Sequence, residues 1–352
     1  MEKRWVIKPA DEEKILALQK ELQVHPVICR LLVQRGISTF DEAKQFFRPS
    51  IDDLHDPYLM KGMHLAIERI NLALEKNERI LIYGDYDVDG TTSVALTYSF
   101  FKNIYYNIDY YIPDRYSEGY GISFKGVDYA KETNCKLVIA LDCGIKANDK
   151  IDYANQLNID FIICDHHLPG DEIPNAIAVL DPKQSDCPYP YKELCGCGIG
   201  FKLIQAFAQH HEMPFESVAH FLDLVAISIA SDIVPMTGEN RVLAYYGLEQ
   251  LNKDPRPGLK ALIATTGFEG PLSISNIVFG IGPRINAAGR LDDAKNAVRM
   301  LISQTEEHAK NGADILQGKN TDRKETKSNT QTTKQTSNNY NNYNKNKNNK
   351  IK

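Results

Sequence analysis

Three aspartates follow one apolar run at every second position. The segment ILIYGDYDVDG (80–90) ends a strand-like run with Asp85, Asp87 and Asp89. Alternate residues of an extended segment face the same side, so at least two of these carboxylates can share one cation. Three close carboxylates repel one another unless a cation lies between them. The segment therefore favours a divalent-metal site over a polar turn that only caps the next helix.

Three further apolar runs end in residues that can bind metal. LVIALD ends at Asp142, FIICDHH ends at Asp165, His166 and His167, and the helical pattern LDLVAISIASD ends at Asp232. Each residue alone could be a helix cap or part of a polar surface, but their recurrence favours one shared site. Carboxylates suit Mg²⁺ and Mn²⁺, and an imidazole ligand favours Mn²⁺. We therefore expect the chemistry of a divalent-metal hydrolase.

Two other metal sites fit the sequence poorly. DYDVDG resembles the start of an EF-hand loop, which needs a glutamate at its twelfth position. Leu96 stands there, and the segment follows a strand pattern instead of a helix. LCGCG (194–198) with Cys187 has a weak spacing for zinc, so we expect glycine-rich packing there.

Arginines occur in two glycine-containing segments. YIPDRYSEGYG (111–121) carries Arg115, and GPRINAAGR (282–290) carries Arg284 and Arg290. We expect both segments to form tight loops, where an arginine can bind a phosphate through two nitrogens. A surface salt bridge fits the same residues equally well.

The elements that position these residues alternate between two patterns. Short apolar runs are separated by helical patterns, and they lie at 80–83, 108–112, 137–141, 159–163 and 176–180. This alternation predicts an α/β fold with a parallel β-sheet flanked by helices. In such sheets ligands bind outside the carboxyl ends of the strands, where the acidic motifs lie.

Four regions are expected along the chain. Residues 1–75 form a helical N-terminal extension, and residues 76–265 form the α/β domain. Residues 266–318 form a helical connector and the start of a second domain, with a polar helix around 292–317. Residues 319–352 are rich in Asn, Lys and Thr and are expected to be disordered.

Composition excludes several classes of protein. The chain has 352 residues and 43% hydrophobic content, and it lacks both a membrane-length apolar run and a secretory signal pattern. Seven cysteines in irregular spacing indicate reduced thiols and a cytoplasmic protein. The net charge is −5, and most basic excess lies in the tail. An acidic body argues against a protein that simply coats nucleic acid.

Several of these motifs together resemble a known family. DYDVDGTTS, LDCG, DHHLPG and ASDIVP, in this order, are similar to the four motifs of the DHH phosphoesterase superfamily. The two arginine segments resemble those of its RecJ family of bacterial single-strand-specific DNA exonucleases. The likeness runs from about residue 1 to about residue 318. It implies a parallel-sheet domain, an associated domain across a cleft, and two divalent cations, Mn²⁺ or Mg²⁺.

The resemblance also implies roles for particular residues. His167 would contact the scissile phosphate, Asp165 would orient the histidine pair, and Arg115 and Arg284 would hold a terminal 5′-phosphate. The implied metal ligands are Asp85 and Asp87 for one cation, Asp89, His166 and Asp232 for the other, and Asp142 as the bridge.

The activity implied by the resemblance is release of 5′-mononucleotides from single-stranded DNA in the 5′→3′ direction, in DNA repair and recombination. We expect a monomer, with replication or repair proteins as candidate partners. The likeness fades near KNTDRKE (319–325), before the further domains that RecJ proteins carry, so we expect a shortened chain with impaired activity. Alternatives are a phosphodiesterase for short oligonucleotides or cyclic dinucleotides, and an inactive metal-binding fragment.

Overall fold

A five-stranded parallel sheet organises the chain. The computed structural model describes residues 4–291, 294–323 and 325. The strand order is β2-β1-β3-β4-β5, with all pairs parallel. The strands are β1 (Arg79–Gly84), β2 (Ile108–Tyr111), β3 (Cys135–Leu141), β4 (Asp160–Cys164) and β5 (Ala178–Leu180). The predicted α/β fold with a helix-flanked parallel sheet is confirmed.

The strands read as continuous apolar runs because both faces of the sheet are buried. In β1, Ile80 and Ile82 pack into the core on one face, whereas Leu81 and Tyr83 pack into the core on the other. Successive side chains of a strand point to opposite faces, so a strand covered on both sides needs apolar residues at every position.

The helices divide between the two faces of the sheet. On one face, α6 (Phe124–Glu132) and α7 (Asn148–Gln156) cover the sheet. On the other, α5 (Val88–Lys102) and α8 (Gly196–His210) contact it, and α10 (Leu222–Asp232) packs on both of those helices. The short α9 (Glu216–Ala219) and the long α11 (Gly238–Lys253) flank α10 along the chain.

The first three helices have a small core of their own. They are α1 (Glu12–Leu22), α2 (Pro26–Val33) and α3 (Phe40–Phe47), followed by short 3₁₀ turns at Ile51–Asp53 and Pro57–Leu59. Their core contains Ile15, Leu18, Cys29, Leu32 and Ala43. The next helix, α4 (Met63–Glu75), packs in the main core instead. We therefore propose that the N-terminal extension ends before α4 and not at residue 75.

The C-terminal part is helical throughout most of its described length. It contains α12 (Pro257–Ala264), α13 (Ile274–Asn276), a π-helical turn (Ile277–Ile281), α14 (Gly282–Leu291), α15 (Lys295–Leu301) and a helix over 306–323. None of the described helices is long and apolar enough to cross a membrane.

The structure of this part differs from three expectations. The loop predicted at 282–290 is wrong, because a proline is tolerated in the first turn of a helix and the chain continues as α14. The single polar helix around 292–317 is also wrong, since the helical backbone is interrupted at 302–305. Residues 319–323, expected in a disordered tail, are helical. Residues 324 and 326–352 lie outside the described residues, so the rest of that expectation is untested.

Candidate metal centre

Four strands end in register, and an aspartate follows each of them. The last residues of β1, β3, β4 and β5 are partners across the sheet, in the order Gly84, Leu141, Cys164 and Leu180. The residues that follow are Asp85, Asp142, Asp165 and Asp181. Neighbouring strands lie about 4.8 Å apart, so carboxyl groups are concentrated along one edge. This edge includes the point between β1 and β3 where the strand order reverses, the usual ligand site of open α/β sheets.

Asp142 is buried with one carboxylate oxygen unsatisfied. Its backbone is left-handed, with φ of 59°, which aspartate tolerates better than most residues. Its Oδ2 has no hydrogen-bond partner among the described residues. It does not cap α7, whose N-cap is Ala147. A side chain at Gly196 would place its Cβ 2.7 Å from Asp142 Cβ, so the glycine lets α8 approach this carboxylate closely.

Asp89 lies in the first turn of α5 and is held by two other helices. Its Oδ2 accepts a hydrogen bond from Gly196 N at 2.7 Å, and its Oδ1 accepts one from Cys197 N at 2.7 Å. Its Oδ1 also accepts a bond from Ser228 Oγ at 2.6 Å. The N-terminus of α8 therefore compensates the charge of Asp89, because backbone N–H groups and the helix dipole both favour an anion there.

The expectation that the first three aspartates alternate along an extended segment is wrong. Asp87 is the N-cap of α5 and accepts a hydrogen bond from Gly90 N at 3.0 Å. A Cβ at Gly90 would lie 2.4 Å from the main-chain oxygen of Asp85. The glycine thus lets the chain turn directly from strand into helix. Asp85 Oδ2 accepts a hydrogen bond from Gly121 N at 3.1 Å, which ties it to the loop after β2.

His166 is the point where carboxylates from three elements meet. Its Nε2 lies 3.2 Å from Asp142 Oδ1 and 3.7 Å from an oxygen of both Asp89 and Asp232. Burial lowers the pKa of the His166 imidazole, which favours the neutral ring. A neutral ring nitrogen among carboxylate oxygens forms an electron-rich centre that suits a divalent cation.

Two groups of side chains at this point have ligand atoms close enough for one ion. The atoms of Asp89, His166 and Asp232 lie within 4.8 Å of one another, as do those of Asp142, His166 and His167. The first group is the trio assigned above to one cation. Asp85 and Asp87 are in neither group, but the side chain of Asp87 forms a hydrogen bond with that of Asp142.

His167 is oriented by Asp165. Its Nδ1 lies 2.7 Å from Asp165 Oδ1, which also accepts hydrogen bonds from the main-chain N–H groups of both histidines. The hydrogen bond to Asp165 raises the pKa of His167. Although burial acts in the opposite direction, the hydrogen bonds and charge of His167, with a bond from Ile145 N, lower the pKa of Asp165. Asp165, expected to orient the histidine pair, thus bonds the ring of His167 and the main-chain N–H of His166.

Burial and repulsion between carboxylates raise the pKa of Asp85, Asp142 and Asp232. Burial raises the pKa of Asp85 to about 7 and that of Asp232 to about 7. Burial, with the nearby charges of Asp89 and Asp87, raises the pKa of Asp142 well above its usual range. A divalent cation would displace the protons of these groups on binding. The affinity of the centre for a divalent cation should therefore increase with pH.

Arg115 lies at one end of an aromatic series that leads to His167. Its guanidinium carbon lies 5.1 Å from the centroid of the Tyr86 ring. Tyr86 packs edge-on against Tyr120 at 5.7 Å, and Tyr120 packs edge-on against His167 at 6.2 Å. Burial, and then the charge of Asp142, raises the pKa of Tyr120. Tyr120 is a candidate site residue that the sequence analysis did not select.

Arg284 is bonded within the C-terminal part of the chain. Its Nη1 donates to Gly280 O at 2.7 Å, its Nη2 donates to Thr265 O at 3.1 Å, and its Nε donates to Gln317 Oε1 at 2.7 Å. It lies in α14 and not in a glycine-rich loop. The structure does not join it to Arg115. The side chain of Arg290 lies outside the described part of the chain.

Asp181 is a second residue that the sequence analysis missed. It is fully buried, its Oδ1 accepts a hydrogen bond from Lys183 N at 2.7 Å, and its Oδ2 has no partner among the described residues. Burial raises its pKa to about 7. The signal was available, because Asp181 directly follows the apolar run at 176–180 in the same way as the other strand-end aspartates.

The cysteines near α8 have a packing role. Cys195 caps the helix, its Sγ accepting a hydrogen bond from Gly198 N at 3.2 Å. Within the described ranges, no group of possible metal ligands contains a cysteine.

The comparisons with known proteins agree with a divalent-metal centre. Residues 79–229 match the DHH family, N-terminal domain. RecJ of Bacillus subtilis, a single-stranded-DNA-specific exonuclease, is 41% identical over 302 residues, which is 86% of this chain and 38% of that protein. A crystal structure of exonuclease RecJ bound to manganese is 30% identical and matches with a TM-score of 0.69 over 75% of this chain and 67% of that one. The chain belongs to the RecJ family of DHH proteins.

A second RecJ structure covers more of the chain. RecJ from Thermus thermophilus, in complex with Mn²⁺, is 26% identical and matches with a TM-score of 0.76 over 89% of this chain and 44% of that one. This RecJ-family chain spans about half or less of the length of the curated relatives it matches first.

Proposed function

We propose that this RecJ-family chain is a metal-dependent exonuclease that degrades single-stranded DNA from the 5′ end to 5′-mononucleotides. The observation that carries the proposal is the meeting of Asp89, Asp142 and Asp232 around His166 Nε2. These groups fit a divalent cation, because they gather two buried carboxylates, the more exposed carboxylate of Asp232 and a neutral imidazole around one point. The manganese in two related RecJ structures supports the same choice.

We propose that Asp89, His166 and Asp232 hold one cation, that Asp142 bridges to a second, and that Asp85 and Asp87 complete the second site. Divalent cations at such a centre activate water and stabilise the charge of a phosphodiester under attack. The unsatisfied Oδ2 of Asp142 supports a bridging role, since that oxygen is buried and lacks a partner among the described residues.

His167 is the proposed contact to the scissile phosphate. Its ring is fixed through Nδ1 by Asp165, so Nε2 is the nitrogen left to donate. Because the pKa of His167 is raised, a larger fraction of the ring carries a positive charge near neutral pH. The side chain is 42% exposed, so a phosphate can reach it from solvent.

Arg115 is the proposed contact to a terminal 5′-phosphate. It is exposed at the edge of the site and lies over Tyr86, which belongs to the first acidic motif. For Arg284 to share this role, its guanidinium must exchange Gln317 and two main-chain carbonyls for the phosphate. We therefore expect Arg115 to contribute more than Arg284 in this chain.

The test is digestion of 5′-phosphorylated, 3′-labelled single-stranded DNA with Mn²⁺, beside the matching duplex. The proposal predicts release of mononucleotides from the single strand alone. The Asp142→Asn variant is the matched control and should be inactive. Cleavage inside the strand, equal cleavage of the duplex, or equal activity of the control would contradict the proposal.

The same assay separates the alternatives. Turnover of di- to tetranucleotides or cyclic dinucleotides, without turnover of long strands, would indicate a small-substrate phosphodiesterase. Salt-dependent DNA binding with no turnover of any substrate would indicate an inactive metal-binding chain.

A further inference from the structure

Ser228 on α10 carries a buried hydroxyl that donates a hydrogen bond to a carboxylate of the acidic centre. Its Oγ donates to Asp89 Oδ1 at 2.6 Å, and Ser228 is fully buried. Asp232 lies four residues further along α10, so both residues are on the same face of the helix. One helix thus supplies a candidate metal ligand and a hydrogen bond to a second candidate ligand on α5.

The hydrogen bonds to Asp89 leave room for one metal contact. A carboxylate has about four lone-pair sites. Cys197 N and Ser228 Oγ occupy the two on Oδ1, and Gly196 N occupies one on Oδ2. The remaining site is on Oδ2, the oxygen that lies 3.7 Å from His166 Nε2. Asp89 in this arrangement presents one oxygen to a cation.

The remaining hydroxyl near Asp89 does not alter this count. Ser93 Oγ lies 3.4 Å from Asp89 Oδ1 but donates at 2.7 Å to the main-chain oxygen of the same residue. Ser228 is therefore the side chain that occupies the second lone-pair site on Asp89 Oδ1, beside the bond from Cys197 N.

We propose that Ser228 is a positioning residue that holds Asp89 as a one-oxygen ligand and so favours Mn²⁺ or Mg²⁺ over Ca²⁺. Small octahedral cations need ligands at fixed positions, whereas Ca²⁺ takes more oxygens and accepts a carboxylate through both. Without the Ser228 bond, one lone-pair site on Oδ1 is free, so the carboxylate can offer both oxygens to a cation. The inference rests on the proposed metal centre and adds the source of its selectivity.

The experiment is calorimetric titration of the full chain with Mn²⁺ and, separately, with Ca²⁺. Ser228→Ala should weaken Mn²⁺ binding about tenfold, as loss of a residue that orients a metal ligand does. The Ca²⁺ affinity of the variant should stay unchanged or rise, so the ratio of its Mn²⁺ affinity to its Ca²⁺ affinity falls. Ser231→Ala is the matched control, because its buried hydroxyl on the same helix has no partner among the described residues. It should leave both affinities unchanged.

A merely structural role would weaken both cations equally, and that result would overturn the inference. If Ser228→Ala does not fold, as judged by circular dichroism in chelator, the same titrations are made with Ser228→Cys. The thiol is a weaker donor, so the affinity ratio should again fall, by less. No binding of either cation to the unaltered chain would overturn the metal centre itself. An unaltered ratio in a folded variant, with normal Mn²⁺ binding and hydrolysis by the unaltered chain, would overturn only the role of Ser228.

Discussion

The acidic side chains at the two edges of the central sheet have different partners. At the amino edge, Arg69 Nε lies 2.6 Å from Asp160 Oδ2, and Arg69 Nη2 lies 2.7 Å from Glu78 Oε2. At the carboxyl edge, the aspartates contact histidines and backbone N–H groups. Among the residues that the structure describes, no lysine or arginine forms an ion pair with any of them, namely Asp85, Asp142, Asp165 and Asp181.

The amino edge is therefore a structural ion-pair cluster, whereas the carboxyl edge is a site that needs an added positive charge. The amino edge carries its own cation, which neutralises the two carboxylates beside it. The carboxyl edge concentrates acids without such a cation, and burial raises the pKa of Asp85 to about 7. We infer that the same strands use one edge for stability and the other for binding a cation.

The largest effect expected is from Asp142→Asn at the carboxyl edge. Loss of residues that only orient metal ligands costs about 10–100-fold in affinity or activity, so loss of a bridging ligand should exceed about 100-fold. Asparagine tolerates the left-handed backbone at this position, which limits damage to the fold. Mn²⁺-dependent nucleotide release measures the loss.

The matched control for that variant is Asp160→Asn at the amino edge. It removes one carboxylate from the Arg69 cluster and should leave hydrolysis unchanged. Equal loss of activity in both variants would contradict the assignment of hydrolysis to the carboxyl edge alone.

A smaller effect is expected from Asp165→Asn. The amide cannot supply the negative charge that raises the pKa of His167, so that pKa should fall and the ring should lose its fixed orientation. We expect activity to fall about 10–100-fold. The decline of activity with rising pH should also begin at lower pH. An unchanged pH profile, or an unchanged His167 pKa by NMR titration, would refute this role.

Arg69→Met should affect stability without affecting the metal centre. Breaking a buried ion pair by removing one partner costs about 3–5 kcal/mol, and we expect the lower value because Asp160 is partly exposed. Urea unfolding in chelator measures the free energy of unfolding, and titration with Mn²⁺ checks the site. A weaker Mn²⁺ affinity at unchanged stability would reverse the assignment of the two edges.

The smallest effect concerns the pH dependence of stability without metal. Asp85 and Asp232 have pKa values of about 7 in the folded chain, against an ordinary value of 3.8. The folded state therefore holds more protons than the unfolded state between these values, and the free energy of unfolding falls as pH rises toward 7. His167, whose pKa is also raised, contributes with the same sign.

In chelator, the melting temperature at pH 8 should be a few degrees lower than at pH 5.5, and Mn²⁺ should reduce this gap because it binds the ionised carboxylates. Asp232→Asn should lower the pH dependence. A melting temperature that rises with pH in chelator would contradict the raised pKa values at the carboxyl edge.

Much of the fold could be predicted because it depends on local pattern. The apolar runs predicted at 80–83 and 137–141 became β1 and β3, each with one or two residues added at its ends. Burial on both faces makes such strands visible in the sequence. The gathering of Asp142 and His166 could also be anticipated, since parallel strands bring their carboxyl ends to one edge. Asp232 ends helix α10, so its place beside them depends on how that helix packs.

The rest depends on contacts between distant segments. Gly196 N binds Asp89 across 107 residues, and Ser228 Oγ binds it across 139. No local pattern predicts either contact. Glycine usually interrupts helices, so the pattern over 282–290 favours a loop, whereas the chain is helical over Gly282–Leu291. Here Gly289 lies where a Cβ would be 2.2 Å from Tyr86 O, so close packing on the first acidic motif requires the glycine.

The most direct test of the central claim is titration of the unaltered chain and its Asp142→Asn variant with Mn²⁺, in two buffers that differ in ionisation enthalpy, at pH 6.5. We predict saturable binding to the unaltered chain with release of protons, because the cation displaces protons from buried carboxyl groups. Binding should be weakened by more than about 100-fold in the variant. Equal binding by both proteins, or no saturable binding by the unaltered chain, would contradict a cation site at the carboxyl edge.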